Sequence, residues 1–277
     1  STSRRQRQMC IRDSNNVLTG VSLSGDKYTY QNPLNTDKPD RWEWHVCPCC
    51  PPMFLKIMAA MPGYIYAYQG DNVYVNLFIG SEVRIPVGDN SVRLKQLTSY
   101  PWHGAVSIQV NPDKASTFSM KVRIPGWAQG TENPYDLYQS NLKAPVKLKV
   151  NQEDVLLRIV DGYAEINREW KKGDHIELEL PMQPRLITAN KAVENLRGQV
   201  ALASGPIIYC FEDADNPELQ TFKLQAQTPL ELSHDSNLLN GVNIIKCQGD
   251  IPAKAIPYYA VANREESHSY KVWIPQK

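Results

Sequence analysis

The stretch Tyr64-Ile-Tyr-Ala-Tyr68, Gln69-Gly-Asp-Asn72, Val73-Tyr-Val-Asn-Leu-Phe-Ile79 is where the apolar period of this chain becomes two. Val73, Val75, Leu77 and Ile79 share one side of an extended chain. The polar, Gly-containing tetrapeptide between the two runs predicts a β-hairpin. The same alternation recurs in 82–87, 91–97, 106–110, 118–124, 146–150, 156–159, 163–166 and 176–180, with turn residues every eight to twelve positions. Such spacing marks an all-β sandwich or barrel. Pro181 closes this block. A second opens near 184, with strands expected at 185–188, 199–203, 207–211, 222–225, 255–262 and 270–274 and irregular chain over 212–254. The fold class expected is mainly β, as two consecutive β-sandwich domains.

Upstream, Pro51-Pro52 opens a helix expected over 52–61, because proline is tolerated in a first turn and Met61-Pro62-Gly63 is a stop signal. Phe54, Leu55, Ile57, Met58 and Met61 surround most of its circumference and predict burial. Residues 15–46 hold turn residues and too little apolar material for a core, so Tyr28, Tyr30, Trp42 and Trp44 read as groups that pack on something else. Residues 1–14 carry four arginines and one acid without amphipathic period or the apolar run of a targeting signal. They resemble translated sequencing-adapter read-through. The expectation is a non-native segment in which Cys10 carries no function, with the native frame continuing upstream.

Thirty basic and 29 acidic residues in 277 give a net charge of +1, so no global field recruits nucleic acid or an anionic membrane. No run approaches the ~18 apolar residues of a transmembrane helix. Six cysteines are too few for a disulfide scaffold at this length.

Three of those cysteines fall in His45-Val-Cys47-Pro-Cys49-Cys50-Pro-Pro52, directly before the expected helix start. Unsatisfied N–H groups at a helix N-terminus carry about half a positive charge, which favours thiolate. A thiolate is both a zinc ligand and a nucleophile. Buried free cysteines and a redox pair compete with this reading, although Cys47-Pro-Cys49 is one residue short of the C-x-x-C motif. Cys210, in an apolar strand, and Cys247 read as structural. With no second ligand pair at zinc-finger spacing, a tetrahedral site would need ligands from outside this chain.

The run Cys47-Pro-Cys-Cys-Pro-Pro-Met-Phe-Leu-Lys56, with Pro62-Gly-Tyr-Ile-Tyr66 and Val73-Tyr-Val-Asn-Leu-Phe-Ile-Gly80, resembles glycoside hydrolase family 127, typified by β-L-arabinofuranosidase. The likeness continues through Arg123-Ile-Pro-Gly-Trp127, Trp170-Lys-Lys-Gly-Asp174, Leu180-Pro-Met182 and Gly205-Pro-Ile-Ile-Tyr-Cys210. It ends in Ile256-Pro-Tyr-Tyr-Ala-Val-Ala-Asn-Arg264 and Val272-Trp-Ile-Pro275. The resemblance implies an (α/α)6 catalytic barrel followed by two β-sandwiches. Residues 15–65 would then be the last, helical remnant of the barrel, 66–183 the first sandwich and 184–277 the second. It implies a retaining hydrolase that binds zinc through three cysteines and a glutamate and attacks the anomeric carbon with a cysteine. By motif position Cys49 corresponds to the nucleophile and a zinc ligand, and Cys50 to a ligand alone; Cys47 receives no role. The Glu-x-Cys motif and the acid/base glutamate of the family have no counterpart here. The resemblance thus implies half a metal site, a glycan substrate, a missing barrel and a fragment inactive alone.

Other candidates are weaker. Glu82, Glu165 and Glu169 read as the solvated face of strands. His103, His175, His234 and His268 show no ligand spacing, while His45 could line the cysteine site. Trp102, Trp127, Trp170 and Trp273 could stack on sugar or anchor strands. The terminal sandwich offers a surface for a homodimer. The alternative function is a non-catalytic β-sandwich that binds carbohydrate or serves a structural role.

Overall fold

A computed structural model describes residues 20–277 except 30–31, 40, 44–49, 134 and 250, with the backbone alone at 50, 51 and 53. In chain order the strands are β1 (Asn35–Thr36), β2 (Tyr66–Gln69), β3 (Asn72–Val75), β4 (Ser81–Val87), β5 (Asn90–Thr98), β6 (Ala105–Pro112) and β7 (Ser116–Arg123). Next come β8 (Tyr138–Ser140), β9 (Lys147–Val150), β10 (Glu153–Asp154), β11 (Ile159–Val160), β12 (Tyr163–Trp170), β13 (Asp174–Glu179) and β14 (Arg185–Ala189). The last are β15 (Gln199–Ser204), β16 (Ile207–Glu212), β17 (Leu230–Asp235), β18 (Val242–Cys247), β19 (Ala253–Pro257), β20 (Tyr270–Lys271) and β21 (Ile274–Pro275). The fold is mainly β, as the alternation predicts.

The chain divides into two units. A middle unit holds Ala60–Tyr135 and Leu142–Gln183; a C-terminal unit holds Asp136–Asn141 and Pro184–Lys277 with the described residues up to Ala59.

The middle unit is a sandwich. An antiparallel sheet runs β10-β9-β13-β6-β5-β4, and a second runs β11-β12-β7-β3-β2, in which β3 and β7 are parallel. The central strands bury alternate residues: Val92 and Leu94 of β5, Ile108 and Val110 of β6, and Met120 and Val122 of β7 form one core with Trp170. Trp170 is fully buried and its indole N–H donates to Phe118 O at 3.0 Å. At Gly104 an added Cβ would lie 2.0 Å from Leu180 O, so only glycine lets these two backbones meet. The run 73–79 leaves the sheet after Val75, because Asn76 and Leu77 N–H donate to Ile65 O and Leu77 O accepts from Gln96 Nε2.

The C-terminal unit is one ten-stranded sheet, β17-β18-β19-β16-β15-β14-β8, completed by β1, β20 and β21. β15 and β16 pair near their turn (202–204 with 207–209) and then diverge. The end of the chain fills the fork: β21 pairs with β15 at Gln199 and Val200, and β20 with β16 at Phe211 and Glu212. Alternate residues feed a core on each face, Leu202, Tyr209 and Ile245 on one, Ala203, Cys210 and Ile256 on the other.

Several local expectations are corrected. The expected strand 222–225 makes a single bridge, Leu224 to Gln276; Phe222 and Leu224 alternate because both cover a core, not because they pair in a ladder. The chain expected to be irregular over 212–254 contains the hairpin β17–β18, paired from Leu230–Cys247 to Asp235–Val242. β19 stops at Pro257 and Tyr258–Ala260 is a 3-10 turn, where a strand to 262 is expected. β8, in the stretch between the runs 118–124 and 146–150 for which no strand is expected, pairs with β14 and so belongs to the C-terminal unit's sheet.

Candidate functional site

The helix foreseen from Pro51-Pro52 spans Cys50–Ala60 and is followed by a short helix, Pro62–Ile65. It has no acidic residue in its first turn, so no carboxylate of its own offsets the positive end at Cys50. The predicted burial is not found: Leu55 is 66% and Met58 48% exposed, while Phe54 and Ile57 are half-buried. A helix apolar on every side needs neighbours all round to be buried, and among the described residues Leu55 and Met58 stay open to water.

Cys47, Cys49 and His45 lie outside the described residues, and Cys50 is described by its backbone at the helix start. Among the described residues no three His, Cys, Asp or Glu side chains gather as a metal site. The donor chemistry of the run suits zinc, because thiolates are preferred zinc donors, and the resemblance would give the ligand positions to Cys49 and Cys50. Glu43, the carboxylate nearest in sequence, is exposed and faces Lys27 at 4.0 Å.

Upstream of the run, residues 20–43 dock on the C-terminal unit through polar contacts that sequence patterning did not reveal. Asn35 pairs in β1 with Lys271. Its Oδ1 accepts the N–H groups of Val272 (2.9 Å) and Trp273 (3.0 Å), and its Nδ2 donates to Trp273 O. Tyr258 and Tyr270 hydroxyls donate to Pro33 O at 3.0 and 2.8 Å. Burial pushes the Tyr270 hydroxyl up to about 12 and that of Tyr258 further, so both remain donors. Trp42 exchanges two backbone hydrogen bonds with Tyr28.

Arg41 is the centre of this seam. Its Nε donates to Gly20 O at 2.9 Å, Nη2 to Val261 O at 2.6 Å and Nη1 to Ala262 O. Ala262 N–H donates to Glu212 Oε1 at 2.5 Å. Glu212, fully buried, pairs with Arg264, whose Nη2 also reaches Asp215 Oδ2 at 2.7 Å; Lys254 Nζ sits 2.5 Å from Asp215 Oδ1. Burial opposes the charge on Asp215, but hydrogen bonds from Arg264 and Lys254 outweigh it and hold its carboxyl below the ordinary value. Arg264 is raised: burial opposes its charge and the two carboxylates overcome that. The available signal was Asn263-Arg264 closing a resemblance motif, to which no role was attached.

The remaining candidates separate. Glu82 lies in the six-stranded sheet and faces Arg93 at 3.7 Å, while Glu165 and Glu169 lie in the five-stranded sheet facing Lys121 and Lys171. They form no catalytic pair. Trp170 and Trp273 are buried anchors; Trp102 is exposed and Trp127 half-buried. Cys210 and Cys247 are buried, and burial raises both thiols, that of Cys247 to about 12. A cleft of about 680 Å³ crosses the six-stranded sheet of the middle unit, lined among others by Leu97, His103, Lys147, Lys149, Glu177 and Glu179. It opens where β6 shows only Ala105 and Ser107 between longer neighbours.

Comparison with known proteins covers almost the whole chain. Residues 13–63 match the catalytic domain, 72–182 the middle domain and 184–275 the C-terminal domain of glycoside hydrolase family 127 β-L-arabinofuranosidases. A non-reducing end β-L-arabinofuranosidase of Bifidobacterium longum subsp. longum is 29% identical over 301 residues, spanning 91% of this chain and 42% of the relative. A solved family 127 β-arabinofuranosidase matches with TM-score 0.86 and 33% identity over 94% of this chain and 44% of its own. The family 127 β-L-arabinofuranosidase from Geobacillus stearothermophilus T6 matches with TM-score 0.83 and 33% identity, over the same shares. The chain thus spans less than half the length of these relatives.

Proposed function

Because this chain belongs to glycoside hydrolase family 127, we propose that it is the cysteine-bearing C-terminal part of a retaining, zinc-dependent hydrolase that releases non-reducing-end β-L-arabinofuranose from glycans. The observation that carries the reading is the order of the matches: a stretch of catalytic domain containing Cys47, Cys49 and Cys50, then the middle and C-terminal domains.

Cys49 is the nucleophile in this reading. Its sulfur attacks the anomeric carbon, and a covalent glycosyl–cysteine intermediate is then opened by water, so configuration is retained through two displacements. Only one further carboxyl is needed, to protonate the leaving oxygen and deprotonate the water. The family resemblance puts that carboxyl upstream, in the remainder of the catalytic domain. Cys49 and Cys50 would hold zinc with ligands from that same remainder. Bound zinc keeps the sulfur anionic at neutral pH. The helix end at Cys50, with no acid in its first turn, acts in the same direction.

The test is hydrolysis of an aryl β-L-arabinofuranoside. The 277-residue chain is expected to be inactive, and the protein completed by its catalytic domain active. Cys49→Ser should lower kcat on the order of 10⁴-fold or more. Full turnover by Cys49→Ser, or by the short chain with Cys49 blocked, overturns the assignment. In a competition titration with a chelating dye, Cys50→Ser should weaken zinc binding.

The cleft on the six-stranded sheet favours one second reading, carbohydrate binding without catalysis. Calorimetric binding of an arabino-oligosaccharide that survives Cys49→Ser and is lost in Glu179→Gln would support it.

A further inference from the structure

We propose that the C-terminal unit is a strand acceptor, whose sheet takes one short strand from each of the two preceding family domains and locks each with an asparagine amide. The match to the family's C-terminal domain covers 184–275. The sheet of that unit nevertheless contains β1, from within the catalytic-domain match, and β8, from within the middle-domain match. Among the described residues β1 pairs only with β20, and β8 only with β14. The two strands are two and three residues long, so few ladder bonds set their register.

In both strands an asparagine side chain supplies what the backbone lacks. Asn35 Oδ1 accepts the N–H groups of Val272 and Trp273, and its Nδ2 donates to Trp273 O at 3.0 Å. Asn141, directly after β8, accepts Leu186 N–H on its Oδ1 at 2.9 Å while its own N–H donates to Leu186 O at 3.2 Å. An amide side chain carries the same donor and acceptor as a peptide group, so each asparagine adds a rung to a short ladder. The groups that β1 satisfies lie inside the C-terminal unit: Trp273 is 6% and Tyr270 4% exposed. Buried polar groups are costly without partners, so residues 33–36 complete this unit and do more than lie along it. Beside them Ala262 is held at φ +53°, with its N–H on Glu212 Oε1 and its carbonyl accepting from Arg41. Strand addition of this kind takes affinity from backbone hydrogen bonds and specificity from neighbouring side chains. The partner that the β1 site fits is an extended Pro33-Leu34-Asn35 segment followed by Arg41.

Cutting the chain tests the acceptor without touching its contacts. A protease recognition sequence is inserted after Glu43 in the 277-residue chain, which is then cleaved. The piece ending at 43 should remain with the rest through size exclusion, and its prompt separation overturns the proposal. In the cut chain, with peptide 20–43 as the chase, Asn35→Ala should speed loss of the labelled N-terminal piece by about tenfold or more. An unchanged rate would mean that something other than the asparagine holds the strand, and overturns the lock. In the uncut chain hydrogen exchange reads both strands. Asn35→Ala should speed exchange of the Leu23 amide, which donates to Asn263 Oδ1 at 2.8 Å, by about tenfold or more. Asn141→Ala should do the same for the Asn190 amide, which donates to Leu137 O at 2.8 Å, and neither variant should alter β5 or β6. Faster exchange confined to Val272 and Trp273, or to Leu186, would give the asparagines a purely local role and overturn the proposal. Where a variant loosens β5 and β6 as well, retention of the N-terminal piece by the cut wild-type chain decides.

Discussion

The middle unit keeps its charges outside and the C-terminal unit keeps several within. Of the middle unit's ion pairs noted above, Arg93–Glu82 and Lys171–Glu169 are exposed and Lys121–Glu165 is half-buried. The C-terminal unit instead buries Glu212, and half-buries its partners Arg264 and Asp215; it also buries Arg185, whose Nη1 donates to Gly205 O at 2.7 Å. One unit is held by alternation, a local property of each strand. The other is held in register by contacts between residues more than two hundred positions apart, such as Arg41 and Ala262.

The sharpest way to break this contrast is to remove a charge from inside. Arg264→Met leaves Glu212 without its cation and Asp215 with Lys254 alone. Stripping one partner from a buried pair costs about 3–5 kcal/mol. Calorimetry should show the transition of the C-terminal unit falling while that of the middle unit stays. A shift of both together would show that the units do not melt separately.

The corresponding insult to the middle unit is steric. Gly104→Ala places a methyl against Leu180 O, where only backbone movement can relieve the clash. Overpacking of this kind costs about 1–3 kcal/mol. Here the middle unit should melt earlier and the C-terminal unit should not respond.

This contrast also explains what could be read from the sequence. β5, β6, β7 and β12 were legible because Val92/Leu94, Ile108/Val110, Met120/Val122 and Ala164/Ile166 alternate against polar neighbours, and burial follows that pattern. The hairpin β17–β18 was not, because β17 exposes half-buried leucines amid Glu231, Ser233 and His234. β8 was hidden for a different reason: Tyr138 packs on Trp273 and Ser140 pairs with Ile187, and neither partner is signalled locally. Within the candidate site the cysteine run was legible, since three thiols in four residues need no structure to stand out. Arg41 and Glu212 were not, because single charged residues have no period and their meaning lies in a partner far along the chain.

Acid should separate the units as mutation does. Asp215 has a folded value below its ordinary 3.8, because Arg264 and Lys254 together outweigh its burial. Its contribution to stability is therefore complete above the unfolded value and is lost as pH falls through the folded one. Asp213, held low by Ser269 and His268 N–H groups against its own desolvation, acts in the same sense. Below about pH 4 the C-terminal unit should lose Tm faster than the middle unit, and Asp215→Asn should flatten that slope. An equal slope in both units would mean that the interior charges do not govern acid stability.

The smallest effect is expected on the outer face of the six-stranded sheet. Glu179 stands opposite Lys147 and Ala105 across the ladder, exposed to water on the rim of the cleft. An exposed carboxylate of this kind contributes little, so Glu179→Gln should change the stability of the middle unit by no more than about 0.5 kcal/mol. The value of the experiment is its asymmetry with Arg264→Met. Both substitutions remove one charge, and the ratio of their effects measures how far burial, and not charge itself, distinguishes the two units. A loss of more than about 1 kcal/mol on Glu179→Gln would place a stabilising interaction on the face assigned to solvent and end the contrast there.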